Sequence, residues 1–307
     1  MDKLQKNQPN RSKPMKKWGK ALDFFSYLAI IKANDARIAS KKAKKAAPLQ
    51  EGCGRHFYHY KMGRLKAMEY RIEKDSIGER EVPVDAYYGV QSLRGAENFH
   101  ITGQKLQPEF INSMAEIKKA CAICNCMVGE MDEKIKDAIC QACDEIIAGQ
   151  FHDQFLCDPI QGGAGTTANM NANEVIANRA IEILGGKKGD YSIVHPNDHV
   201  NRAQSTNDVF PSAAKLTAAK LLKKAIAQLE RLEAALGQKE EEFHNIIKMG
   251  RTQMQDAVPI RLGSEFGAYR KAIQRDLVRL NRALEGMYAV NMGGTAVGTA
   301  LNANPAY

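Results

Sequence analysis

The sequence predicts a mainly α protein: a small mixed and helical N-terminal domain over residues 68–207, then the first part of a long-helix bundle over 208–307. Three observations carry this. Two long stretches near the end of the chain repeat apolar residues at three- and four-residue spacing. Extended and turn-like sequence is confined to residues 69–105, as in Glu79-Arg-Glu-Val-Pro83 and Asp85-Ala-Tyr-Tyr-Gly89. No strand–helix–strand unit is legible around the glycine-rich segment that follows. At 307 residues, 44% hydrophobic and 26% charged, the chain is neither collagen-like nor wholly disordered.

From Pro108 the pattern turns helical: Ile111, Met114, Ile117 and Lys118 open a stripe that runs toward Gly129. A second helix is expected over about 132–148, with Gly149 as its C-cap. A Gly/Thr/Asn-rich loop at 162–173 and a polar loop at 195–208 flank a short helix, Glu174 to Leu184. In the first long stretch Leu222, Ile226, Leu229, Leu236, Phe243 and Ile247 share a stripe. In the second, Leu262, Phe266, Tyr269, Ile273, Leu280, Leu284 and Met287 do the same. Glu233, Glu240 and Asp276 interrupt these stripes, and Pro211 and Pro259 are read as first-turn prolines of the two helices. A helix over about 212–248 would be ~55 Å long, so it needs partners of similar length and implies a bundle shared between subunits.

The net charge of +9 is unevenly distributed. Residues 1–67 hold 17 Lys/Arg against 4 Asp/Glu, a net of +13, and the remainder is −4. The first segment is a basic leader with three open readings. It is a disordered or partly helical extension, an arm for nucleic acid or an anionic membrane surface, or a stretch upstream of a start at Met68. Its apolar patch, Leu22 to Ile31, contains Asp23 and is too short to span a bilayer. Cys53, His56 and His59 have only loosely metal-like spacing. No transmembrane segment is found, and a cytoplasmic protein is the expectation.

Cys121, Cys124, Cys140 and Cys143 match a zinc-ribbon spacing in number alone. They fall inside helix-periodic sequence without the glycines of a zinc knuckle, so they read as small core residues. Gly162-Gly-Ala-Gly-Thr-Thr-Ala168 is formally a dinucleotide fingerprint but lacks its strands, and no Walker A loop is present. Exposed backbone N–H groups and the hydroxyls of Thr166 and Thr167 before a helix suit a carboxylate. His195-Pro-Asn-Asp-His-Val-Asn201 and Gln204-Ser-Thr-Asn-Asp208 form a second polar cluster, in which Ser205, Thr206 or Asn207 can cap the long helix. Gly250-Arg-Thr-Gln-Met-Gln-Asp-Ala-Val-Pro259, between the two long helices, is the third.

Together the three clusters resemble the aspartase/fumarase superfamily. The resemblance runs from Met68 to Tyr307 and includes Ile77-Gly-Glu-Arg-Glu-Val-Pro83, Ala86-Tyr-Tyr-Gly89, Gln161-Gly-Gly-Ala-Gly-Thr166, Asn169-Met-Asn-Ala-Asn-Glu-Val175, His195-Pro-Asn-Asp198, Gln204-Ser-Thr-Asn-Asp208 and Gly250-Arg-Thr-Gln253. Fumarases of this superfamily show Gly-Ser-Gly-Thr-Gln-Ser-Asn-Met-Asn and a His after Gly-Arg-Thr. Here Ala164, Thr167, Ala168 and Gln253 depart from that, which resembles the aspartase branch.

The resemblance implies reversible deamination of L-aspartate to fumarate and ammonia through an aci-carboxylate dianion, with no metal or organic cofactor. It assigns Thr166, Ser205 and Thr206 to the β-carboxylate. Asn207, with Thr206 and Gln253, is assigned to the amino group, and Thr252 to the α-carboxylate. His195, Asn197 and Asp198 match a secondary anion site. The family is homotetrameric and draws its site from three subunits. Its catalytic serine lies in a Gly-Ser-Ser-x-Met-Pro-x-Lys-x-Asn loop, and no such sequence occurs in these 307 residues. The expectation is therefore an N-terminal fragment, inactive alone, with no catalytic residue of its own. A fumarate hydratase and a non-catalytic binding protein using the basic leader are the alternatives.

Overall fold

The structure, a computed structural model, describes residues 69–307; the basic leader and its Cys53/His56/His59 group lie outside the described residues. The first element is an antiparallel hairpin of β1, Tyr70–Lys74, and β2, Glu79–Pro83, with Tyr70 opposite Pro83. Asp75 closes its turn by accepting the N–H groups of Ile77 and Gly78. The Arg71 guanidinium donates to the carbonyls of Pro83, Ala86 and Tyr88, pinning the extended segment that leads into α1, Val90–Asn98.

Two helices follow as an α-hairpin: α2, Pro108–Met127, capped by Gln107, and α3, Glu133–Ile147, capped by Asp132. Their facing sides bury Ile111, Met114, Ile117, Ile139 and Ile146, as the spacing predicts. Cys121 and Cys143 are buried on these helices, while Cys124 and Cys140 are half-buried. Burial pushes the Cys121 thiol up to about 12 and Cys143 well above its ordinary value, which makes both poor metal ligands.

The next helix corrects the sequence reading. α4 spans Thr166–Ile183, so residues 166–173, expected as loop, are helical. Asn169, Asn171, Asn173 and Asn178 lie buried in it, against asparagine's weak helix propensity. Tertiary bonds compensate: Asn171 accepts from Leu156 N–H and donates to Gln154 carbonyl, and Asn178 accepts from Gly189 N–H and donates to Tyr87 carbonyl. The helix thus holds the surrounding loops through amide side chains.

A π-helical turn, Pro196–Val200, leads to α5, Thr206–Glu242, whose 37 residues span ~55 Å. α5 starts six residues before the expected 212, because Ser205 and Asp208 form a reciprocal capping box. Pro211 therefore lies inside the helix rather than in its first turn. Its missing N–H frees the Asn207 carbonyl, which accepts Asn291 Nδ2 at 3.4 Å instead.

The connection after α5 is a second hairpin, β3, Ile247–Thr252, and β4, Gln255–Arg261, followed by α6, Leu262–Gly286. Pro259 is thus a strand residue opposite Met249, not a helix start. Gly250 is required there: a Cβ would stand 2.7 Å from the Val258 carbonyl. α6 runs back along α5, joined by Phe243–Phe266 ring packing and by Arg270, which pairs with both Glu233 and Glu240. Those two polar interruptions of the stripe are an interhelical ion-pair site. Asp276 instead pairs with Arg279 on its own helix.

Beyond Ile226, α5 has no buried residue, and α6 buries only Gly263 and Gly267. Leu232, Tyr269 and Val278 are exposed on this two-helix arm. Residues 287–307 return without regular structure to the start of α5, where Thr295 N–H donates to Asp208 and Asn207 donates to the Ala296 carbonyl. Among the described residues no helix is long and apolar enough to cross a membrane.

Candidate active site

Two helix N-termini, those of α4 and α5, meet beside the glycine-rich loop. Gly165 is the N-cap of α4 in a left-handed conformation, φ 89°, and a Cβ there would be driven into the Phe210 ring of α5. Thr166 opens α4 with its side chain exposed. On α5, Ser205 is the N-cap, Thr206 the first residue and Asn207 the second. Asn169, one turn into α4, donates from Nδ2 to Thr206 Oγ1 at 3.2 Å and ties the two first turns together. An open cleft beside them is lined by Gln161, Gly163, Gly165, Asn207, Phe210 and Asn291. The positive ends of the two helix dipoles converge here, an arrangement that favours negative charge.

The hydroxyls are already oriented. Ser205 Oγ accepts the Asn207 N–H at 3.2 Å, and Thr206 Oγ1 accepts from Asn169. Each oxygen accepts from the protein, and its own proton remains available to donate to a ligand. Asn207 Nδ2 is engaged with the Ala296 carbonyl at 2.9 Å, so its amide faces the returning segment.

His195 lies on a second face, where it lines a smaller cleft with Gln91, Glu174, Tyr191 and Asn197. His195 Nδ1 accepts the N–H groups of Asn197 and Asp198, each at 3.2 Å. The Asp198 carboxylate stands 3.2 Å from the same Nδ1. His199, half-buried, is held below the usual histidine value by desolvation.

Thr252 and Gln253 are not brought to the cleft. They occupy the exposed tip of the β3–β4 hairpin, at the other end of α5 and ~50 Å from Thr206 by helix length. One chain thus gathers Thr166, Ser205, Thr206 and Asn207, and presents Thr252 and Gln253 elsewhere.

The sequence reading missed what stands behind the hydroxyls. Lys118, fully buried on α2, donates from Nζ to Asn201 Oδ1 at 2.7 Å and to Gln204 Oε1 at 3.0 Å. Asn201 Oδ1 also accepts Asn169 Nδ2 at 3.2 Å. A signal was present: Lys118 is a cation within the apolar stripe of its helix. Asn291 and Thr295, which brace the start of α5, carried no comparable signal.

Residues 78–307 match the model of a protein family described as lyase. The aspartate ammonia-lyase of Bacillus subtilis (strain 168) is 56% identical over 239 residues, covering 78% of this chain and 50% of that protein. Among solved structures, the fumarate lyase:delta crystallin from Brucella melitensis matches with a TM-score of 0.75 and 48% identity, over 78% of this chain and 52% of that one. The class II fumarase from Schistosoma mansoni gives 0.73 and 39%, over 77% and 50%. The chain spans about half the length of the curated relatives it matches.

Proposed function

The chain belongs to the aspartase/fumarase lyase family, and from that premise we propose that it is part of an aspartate ammonia-lyase. The reaction is reversible removal of ammonia from L-aspartate to give fumarate. Taking the C3 proton leaves an aci-carboxylate dianion, whose second negative charge must meet donors that are already aimed. The observation that carries the reading is the pair of outward-donating hydroxyls, Ser205 and Thr206, at a helix N-terminus beside Thr166. These three residues are assigned to the β-carboxylate. Asn207 and Gln253 are assigned to the amino group, Thr252 to the α-carboxylate, and His195, Asn197 and Asp198 to a secondary anion site.

The ~50 Å between Thr206 and the hairpin supports a site assembled between copies; the proposed assembly is a homotetramer, in the cytoplasm. In that assembly the Thr252–Gln253 tip of one copy would approach the Ser205–Asn207 turn of another. Residues 68–207 then form the N-terminal lyase domain and 208–307 the first part of the bundle. The family's serine base loop is not found within these residues. By themselves they should bind fumarate weakly and turn over nothing.

Supplying fumarate with ammonium, then fumarate alone, tests the reading. The expected result is no product from the chain alone, and aspartate rather than malate once a chain carrying the serine loop is co-expressed. Malate without aspartate would point to a fumarate hydratase. Robust aspartate turnover by the 307 residues alone would overturn the assignment of the base.

A further inference from the structure

We propose that Lys118 is a positioning residue, which fixes the direction of a buried hydrogen-bond chain running through Asn201 and Asn169 to Thr206, so that the Thr206 hydroxyl accepts from Asn169 and keeps its proton for a bound carboxylate. The inference rests on the functional reading above for the identity of the ligand, and on geometry alone for the chain itself.

An ammonium has three N–H groups and no acceptor. Lys118 Nζ lies 2.7 Å from an Asn201 side-chain atom and 3.0 Å from a Gln204 one, so both must be oxygens. With Asn201 Oδ1 fixed, its Nδ2 points to the Gln204 carbonyl at 3.2 Å, a bond only a donor can make. Gln204 is fixed in the same way, its Nε2 donating to the Val200 carbonyl at 3.0 Å.

Asn201 Oδ1 also meets Asn169 at 3.2 Å, so the Asn169 atom there must be Nδ2. The second hydrogen of that Nδ2 goes to Thr206 Oγ1 at 3.2 Å. Thr206 is thereby an acceptor on its protein side and a donor on the other.

One feature of Asn169 supports dictated orientation over mutual convenience. Among the described residues its Oδ1 is buried without a hydrogen-bond partner. Turning the amide over would instead bring two oxygens together at Asn201. The chain keeps one acceptor unsatisfied and preserves the direction set by Lys118. Lys118 makes no hydrogen bond to the glycine-rich loop or to the α5 capping box; its bonds go to Asn201 and Gln204.

The test uses the full 307-residue chain, isotope-labelled so that the side-chain amides of Asn169 and Asn201 are resolved by nuclear magnetic resonance, with fumarate as the probe. Lys118→Met should shift both amide signals and weaken fumarate binding about tenfold, as expected for one lost charge-assisted contact. The backbone signals of β1, β2 and the Ser205 cap should stay in place. Unchanged Asn169 signals and unchanged fumarate affinity in Lys118→Met would overturn the proposal.

If that variant does not fold, Asn201→Asp and Asn201→Leu take its place. The first keeps an acceptor for both Lys118 and Asn169 and should leave the Asn169 amide signal near its original position. The second should displace it, and an undisplaced signal in Asn201→Leu overturns the relay. If the unsubstituted chain shows no fumarate response at all, the functional reading fails, while the Asn169 signals still decide the relay.

Discussion

Glu174 and Ser92, 82 residues apart, are joined at both ends of the serine: Glu174 Oε2 accepts the Ser92 N–H at 2.9 Å and also the Ser92 hydroxyl. The same carboxylate accepts the N–H groups of Gly89 at 2.9 Å and Gln91 at 3.0 Å. A carboxylate from the middle of α4, only 1% exposed, is therefore the N-terminal cap of α1. Glu174→Gln keeps the shape but turns an NH2 toward backbone donors. It should cost about 2–4 kcal/mol, read as a lower denaturant midpoint at unchanged slope.

Ser205 combines two roles that substitution can separate. Its Oγ caps α5 through the Asn207 N–H, and its proton is free for a ligand. Ser205→Ala should lose about 1 kcal/mol of stability together with fumarate affinity. Ser205→Asp should retain the cap and much of the stability, yet repel the carboxylate. Thermal melts and fumarate titrations of the two variants check this. Equal fumarate affinity in Ser205→Asp and the unsubstituted chain would remove Ser205 from the site.

Much of this was legible in the sequence where one local pattern had no competitor. The α-hairpin and the second long helix follow from apolar periodicity, and the three polar clusters were visible as runs dense in hydrogen-bonding residues. The errors share a cause. Residues 166–173 read as loop because asparagine disfavours helices locally, while the bonds that offset this come from Leu156, Gln154 and other distant residues. Pro211 read as a helix start because its solution, the Asn207 carbonyl handed to Asn291, joins residues 84 apart. The hairpin at 247–261 was hidden because its turn uses Gln253 and Met254 at φ 50° and 60°, residues that do not announce a left-handed turn. Where direction or partnership is set by contacts across the fold, composition alone is silent.

Gly165 is the position where the loop tolerates least change. Its φ of 89° disfavours any side chain, and the Phe210 ring occupies the space a Cβ would fill. Gly165→Ala should cost at least about 2 kcal/mol and move the first turn of α4 away from α5. Phe210→Leu in the same chain should recover part of the steric loss but none of the backbone strain. Unfolding midpoints of the single and double variants separate the two contributions. Full recovery in the double variant would show that the backbone is unstrained.

The buried Lys118 should also leave its mark on the pH dependence of stability. Desolvation pulls it from its ordinary value down to about 7, opposed by Cys121 on its own helix, Cys143 on α3 and Asp208 on α5. In the unfolded chain the lysine stays protonated up to its ordinary value near 10.5. Between those limits the unfolded state binds more protons than the folded one, so this group makes the fold more stable as pH rises, by at most about 1.4 kcal/mol per pH unit. Below pH 7 both states carry the proton and the contribution is flat. Lys118→Met removes the titrating group, so the difference in unfolding free energy between the original chain and the variant should grow in favour of the original from pH 7 to 9. Thiol ionisation in the unfolded chain enters both proteins alike and cancels in that difference. A flat difference over this range would mean that the ammonium stays charged in the folded chain, held by Asn201 and Gln204 strongly enough to offset its burial.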